Sequence, residues 1–107
     1  MIANTPNPPY YAVIFSSVRT DGDNGYSAMA ERMAELAETQ DGFLGMESAR
    51  QELGITVSYW RDPESIRKWR ENLEHTIART QGRAQWYKTF KVRISRVEAD
   101  YDFLKLG

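Results

Sequence analysis

Tyr10–Val18, "YYAVIFSSV", is dense in β-branched and aromatic residues and predicts a buried strand. The loop "RTDGDNG" follows, and then the period changes. Tyr26, Met29, Met33 and Leu36 recur at helical spacing with Ala30 and Ala37 beside them, while Glu31, Arg32, Glu35 and Glu38 fall elsewhere. This predicts an amphipathic helix running to about Gln40, ended by Asp41-Gly42. "FLGMESAR" (Phe43–Arg50) and "ITVSYW" (Ile55–Trp60) flank the short connection "QELG" and predict an antiparallel hairpin. Asp62-Pro63-Glu64 offers a capping oxygen, a proline at the first helical position and an acid in the first turn. Ile66, Trp69, Leu73 and Ile77 carry the apolar stripe of this second helix towards Gly82. "KTFKVRISRVE" (Lys88–Glu98) alternates as a fourth strand.

The order β-α-β-β-α-β, in two halves of similar length, predicts an α+β fold. With right-handed crossovers it is a ferredoxin-like βαββαβ sandwich, both helices on one face of a four-stranded antiparallel sheet. The other face is left uncovered. On the third strand Ile55, Val57 and Tyr59 point one way and Thr56, Ser58 and Trp60 the other; on the fourth, Phe90, Val92 and Ile94 oppose Lys91, Arg93 and Ser95. With Trp60, Thr56 and Ser58 assigned to the open face, that face is expected to be closed by a second subunit, giving a homodimer. Residues 1–9, with three prolines, read as a flexible lead-in, 10–98 as the domain, and 99–107 as a tail. Tyr101, Phe103, Leu104 and Leu106 make that tail too apolar to stay in water, so it is expected to dock on the dimer.

Charge narrows the function classes. Fourteen Lys+Arg against fifteen Asp+Glu in 107 residues leave a net charge of −1. No basic excess points to nucleic acid and no polybasic run to a membrane surface. The chain has no cysteine, which removes disulfides, thiolate metal sites and a cysteine nucleophile. "MIANTPNPPYY" lacks the basic and apolar regions of a secretory signal, and no apolar run approaches the roughly 20 residues that span a bilayer. A soluble, cytoplasmic protein is expected, and 12% aromatic residues equip it to line an apolar pocket. There is no GxGxxG, no GxxxxGK[ST], and no His and carboxylate cluster at metal spacing, so neither cofactor nor metal is expected.

Three stretches carry a resemblance: "GFLGMES", "YWRD" leading into "KW", and "EH" followed by "GRAQWY". Together they make residues 10–98 resemble the antibiotic biosynthesis monooxygenase (ABM) family of dimeric α+β barrels. The resemblance implies a homodimer packed sheet against sheet, with a pocket in each subunit between its own sheet and helices. It further implies oxygenation of a small aromatic or quinol-like metabolite by dioxygen without metal, haem or flavin. Haem-degrading relatives use an asparagine on the first strand, a helical tryptophan, and a histidine about ten residues later. Trp69 matches the tryptophan. However, Arg79 stands ten residues on and Tyr10–Val18 holds no asparagine, so haem degradation is disfavoured.

Oxygenation without a cofactor needs an apolar pocket and a base that helps form the electron-donating anion. His75 is the candidate base by intrinsic pKa, set against a helix-end histidine bonded to a carbonyl. It lies six residues from Trp69, which on a continuous helix turns it about 120° from that face. Trp69, Leu73, Met33, Tyr59 and Phe15 are the candidate pocket walls, set against plain core packing. Trp86 and Tyr87 are candidates for its mouth, with the Tyr87 hydroxyl orienting a substrate oxygen, or else a plug beneath the last strand. Arg83 is a candidate anchor for an acidic group, set against a solvated arginine. The alternative function is a non-catalytic or stress-related homodimer that binds a small hydrophobic ligand.

Overall fold

Why two tryptophans of this chain end up against each other is the key to its architecture. In the computed structural model, residues 1–79 and 85–107 are described, the side chains of 75–79 excepted. The elements are β1 (Tyr10–Arg19), α1 (Tyr26–Glu38), β2 (Phe43–Arg50), β3 (Gly54–Trp60), α2 (Pro63–Arg79) and β4 (Tyr87–Val97). The sheet runs β2-β3-β1-β4, and every neighbouring pair is antiparallel. This is the βαββαβ, ferredoxin-like arrangement that the alternation of periods predicts. No described helix is long and apolar enough to cross a membrane. Gly82 and Arg83 lie outside the described residues, and the side chains of His75, Ile77 and Arg79 outside the described side chains.

Register fixes which side chains share a face. Tyr11, Val13 and Phe15 of β1 stand opposite Trp60, Ser58 and Thr56 of β3, and Val13 and Phe15 opposite Ile94 and Val92 of β4. This is the face under the helices. Trp60 is fully buried and stacks on Trp69 of α2, ring centroids 5.8 Å apart and 26° between planes. Val13, Ala37, Ile66 and Phe43 complete the packing around the pair. The expectation that Trp60, Ser58 and Thr56 form the open, subunit-closing face is therefore corrected. The indole of Trp60 can leave water because its Nε1–H donates to Ser58 Oγ at 2.8 Å, on the same strand and the same face. Ile55, Val57 and Tyr59 take the open face instead, beside Ala12 and Ile14. Tyr59 stacks on Tyr10 at 5.8 Å and donates its hydroxyl to Glu47 Oε1 at 2.6 Å.

The helices are set by their starts. Asp62 Oδ1 accepts from the Ser65 amide at 2.8 Å and from Ser65 Oγ at 2.7 Å, capping α2. These bonds, Ser65 first and then Arg61, hold the Asp62 carboxyl at about 2, below the usual range. α1 starts differently: its N-cap is Gly25, with φ +83°, and Asp23 before it accepts from the amides of Gly25 and Ser27. Gly42, beyond the end of α1, has φ +87°, and a Cβ there would collide with Ser65. Glycine thus allows both the turn into β2 and the close seating of α2.

The segments flanking the domain meet its open face. The Ala3 amide donates to Glu47 Oε2 at 2.9 Å, and the Tyr10 hydroxyl donates to Asp100. Beyond Asp100, Tyr101, Phe103, Leu104 and Leu106 are almost fully exposed in the single chain.

Because Trp60 is sealed within one subunit, Trp60→Ala should lower stability by about 3–5 kcal/mol in chemical denaturation, the usual result of emptying a large aromatic site. A loss below about 1 kcal/mol would mean that Trp60 lies at a surface.

Candidate active site

Two clusters of buried side chains sit under the helices. One surrounds Trp60 and Trp69; the other joins Met29 of α1 to Trp86, just before β4. Met33 and Leu73 pack against both, and between the clusters lies a cavity of about 510 Å³. That volume falls within the roughly 300–1,000 Å³ typical of small-molecule sites. Its floor is the helix-facing side of the sheet: Val13 and Phe15 of β1, Met46 and Ser48 of β2, Thr56 of β3, Tyr87, Phe90 and Val92 of β4. The helices roof it with Tyr26, Ala30 and Met33 from α1 and Trp69, Leu73 and Glu74 from α2.

Six of the candidate residues thus come together. Phe15, Met33, Trp69, Leu73, Trp86 and Tyr87 line one cavity. Tyr59 does not: its ring lies on the opposite face of the sheet, held there by Tyr10 and Glu47. The physical reason is the same as for Trp60, since adjacent strand residues point to opposite faces and Trp60 takes the covered one. Burial and then the Glu47 bond push the Tyr59 phenol up to about 12. Glu47, accepting from Tyr59 and then from the Ala3 amide, is lowered.

The side chain of His75 is outside the described ones, but its neighbour Glu74 lines the cavity, as does Arg70 one turn earlier. Glu74 and Arg70 escaped the sequence reading because both look like the polar face of an amphipathic helix. Phe90, Val92, Met46, Ser48 and Thr56 were within reach of strand alternation once Trp60 had been assigned to the covered face.

Trp86 both plugs and lines. It is 3% exposed, its Nε1–H donates to the Asn24 carbonyl at 3.0 Å, and its own carbonyl accepts from Arg19 Nε at 3.1 Å. Tyr87 follows as the first residue of β4. Its ring meets Phe15 edge-on at 5.4 Å and Tyr26 perpendicularly at 5.8 Å. Burial raises the Tyr87 phenol most, and Tyr26 beside it raises it further, against a downward pull from Arg50 and Arg19. At neutral pH Tyr87 is therefore a neutral hydroxyl, hydrogen-bonded to Tyr26. Among the described residues no group of three or more His, Cys, Asp and Glu could hold a metal ion.

The βαββαβ α+β fold is that of ABM-like proteins, and solved structures share the fold. SnoaB from Streptomyces nogalater, described as a cofactor-independent oxygenase, matches with a TM-score of 0.66 at 13% identity, covering 92% of this chain and 100% of that one. PA3566 from Pseudomonas aeruginosa matches with a TM-score of 0.61 at 16% identity, covering 90% and 99%. At the sequence level the model of the monooxygenase af470-like family matches residues 19–101. The uncharacterized protein YqjZ of Bacillus subtilis (strain 168) is 50% identical over 99 residues, 91% of this chain and 87% of that protein. The chain belongs to the monooxygenase af470-like family.

Filling the cavity should separate binding from folding. Leu73→Trp is expected to abolish uptake of a hydrophobic fluorescent probe while costing no more than about 1–3 kcal/mol, the usual range for added bulk. Unchanged probe fluorescence in a folded Leu73→Trp protein would move the binding site elsewhere.

Proposed function

We propose that this protein is a cofactor-independent monooxygenase that oxidises a small aromatic or quinol-like metabolite with dioxygen, in the cavity between sheet and helices. The observation that carries the reading is the cavity itself, where Trp69, Trp86, Phe15 and Phe90 surround a space fit for a fused aromatic ring, with Glu74 and the Tyr87 hydroxyl on its wall. The family membership and the likeness of fold to an oxygenase support it. Flat aromatic walls exclude water, and exclusion favours a delocalised organic anion over a small hydrated one.

The chemistry follows from these groups. A base takes the acidic proton of a phenol or of its keto form, anthrone being the simplest case. The resulting anion passes one electron to dioxygen, and the two radicals combine to form a carbon–oxygen bond. The hydroperoxide then loses water: one anthrone and one dioxygen give one quinone and one water, with no external reductant. His75 is the proposed base, adjacent in sequence to Glu74, which lines the cavity; Tyr87 is proposed to orient the substrate oxygen.

Oxygen uptake with a panel of anthrones and naphthols should exceed autoxidation, with one dioxygen consumed per quinone formed. His75→Ala should lower turnover by about 10²–10⁴-fold, the scale of a positioned acid–base group, with little change in KM. Intact turnover in His75→Ala combined with loss in Glu74→Gln would transfer the role to the carboxylate. Uptake no faster than autoxidation would end the monooxygenase reading and leave a ligand-binding protein.

The protein is also proposed to be a homodimer, closed across Ile14, Ile55, Val57 and Tyr59 on the face away from the helices. The tail supports this, because four large apolar side chains between Tyr101 and Leu106 are exposed in one chain. Light scattering should give twice the monomer mass, and removal of residues 99–107 should lower the Tm or loosen the dimer. A monomer at micromolar concentration would contradict it.

A further inference from the structure

The cavity lining is not uniformly apolar. Ser48 and Thr56 stand opposite each other on β2 and β3, and together with Tyr26 and Tyr87 they bring four hydroxyl-bearing residues to the cavity's lining. Two arginines stand against one of them, Tyr26. The Arg19 guanidinium lies over the Tyr26 ring, Cζ 3.5 Å from its centroid, and the Cζ of Arg50 is 6.0 Å from the same centroid. Arg50 is on the covered face, two residues beyond Ser48, and its side chain crosses β3 over Gly54 to reach Ser17 on β1. Any Cβ at residue 54 would meet the Arg50 guanidinium, so glycine there opens the path for the crossing.

Neither guanidinium forms a salt bridge among the described residues, where Arg61, Arg67 and Arg96 do. Arg19 donates to the carbonyls of Trp86, Gly22 and Asp23, and Arg50 to the carbonyl and hydroxyl of Ser17. The Asp23 carboxylate feels the Arg19 charge, although its oxygens accept from Gly25 and Ser27. The Tyr87 phenol feels both positive charges, so they reach the cavity and not only the surface.

We infer that the ligand of this cavity is an aromatic anion: a flat apolar ring system seated between Phe15, Phe90 and Trp69, with a carboxylate directed at Ser48, Thr56, Tyr26 and Tyr87 in the field of Arg19 and Arg50. The inference rests on the cavity reading of the proposed function and sharpens it to a substrate class, aromatic acids in preference to neutral aromatics. Hydroxyls donate to the carboxylate oxygens, and the guanidiniums supply the opposite charge in a partly water-excluded place, where such bonds are stronger than neutral ones.

The test uses the full-length protein, with 2-naphthoate and its methyl ester as probes and quenching of tryptophan fluorescence as readout, since Trp69 and Trp86 line the cavity. The acid should bind at least about ten-fold tighter than the ester, and the difference should shrink at high salt. Arg50→Met should remove most of that preference by weakening the acid alone, and Arg50→Lys should restore part of it, with thermal melts establishing that both variants are folded. Equal binding of acid and ester, or an equal loss of both in folded Arg50→Met, would overturn the anion end while leaving the aromatic cavity intact. Failure of both probes to bind would overturn the cavity reading and this inference with it.

Discussion

The stacking of Trp60 on Trp69 decides which side of the sheet becomes the inside of this protein. β3 alternates, so sending Trp60 under α2 sends Ser58 and Thr56 with it and drives Ile55, Val57 and Tyr59 outward. β1 and β4 are paired to β3 in register and must follow, bringing Val13, Phe15, Val92 and Ile94 to the same face. Reversing that choice would expose the Trp60 indole to water, away from Trp69, and turn the Tyr59 phenol into the core. Ser58 makes one arrangement good, giving Trp60 its acceptor at 2.8 Å; Glu47 makes the other half good, accepting from Tyr59 at 2.6 Å. Ser58 travels with Trp60, so the indole N–H keeps its acceptor when the ring leaves water, while the stack on Trp69 is made only on the covered side.

The cavity is a consequence of the same packing. α1 contacts one end of the covered face through Met29 and α2 the other through Trp69. Met33 and Leu73 bridge the gap, with a space of about 510 Å³ left between the two clusters. Aromatic side chains line it because they also hold it open: Phe15, Tyr87, Phe90 and Tyr26 meet at tilted and edge-on angles, with centroids 5.3–5.8 Å apart, and none of them can collapse into the void without breaking those contacts. The polar residues of the lining are Arg70 and Glu74 on α2 and the hydroxyl-bearing Ser48, Thr56, Tyr26 and Tyr87. A ligand would therefore be oriented by these groups and held by its faces.

Local pattern made the element order legible, and the observed limits of β2 are the ones the sequence predicts. Asp62-Pro63 marks the start of α2 by chemistry that depends on neighbouring residues alone. Alternation also sorted the residues of β3 and β4 into two faces correctly. It could not say which face is covered, since that depends on pairing across the chain: Tyr59 with Glu47, Trp60 with Trp69. Trp69 and Phe15 were legible as pocket residues, each being large and apolar on a predicted element, and Tyr87 as a candidate for the mouth just before the predicted fourth strand, whereas Tyr59 turns to the opposite face. Arg50 gave no signal, because its contact with Ser17 spans 33 residues and exists only because Gly54 carries no side chain.

The central claim is that the functional pocket lies on the Trp60 side of the sheet, between sheet and helices. Nuclear magnetic resonance of the labelled protein titrated with 2-naphthol tests it most directly. The account predicts shifts centred on Phe15, Phe90, Tyr87 and the indole N–H groups of Trp69 and Trp86, with the buried Trp60 indole N–H still bound to Ser58 and slow to exchange. Shifts confined to Ile55, Val57 and Tyr59, with Phe15 and Trp69 unmoved, would contradict it.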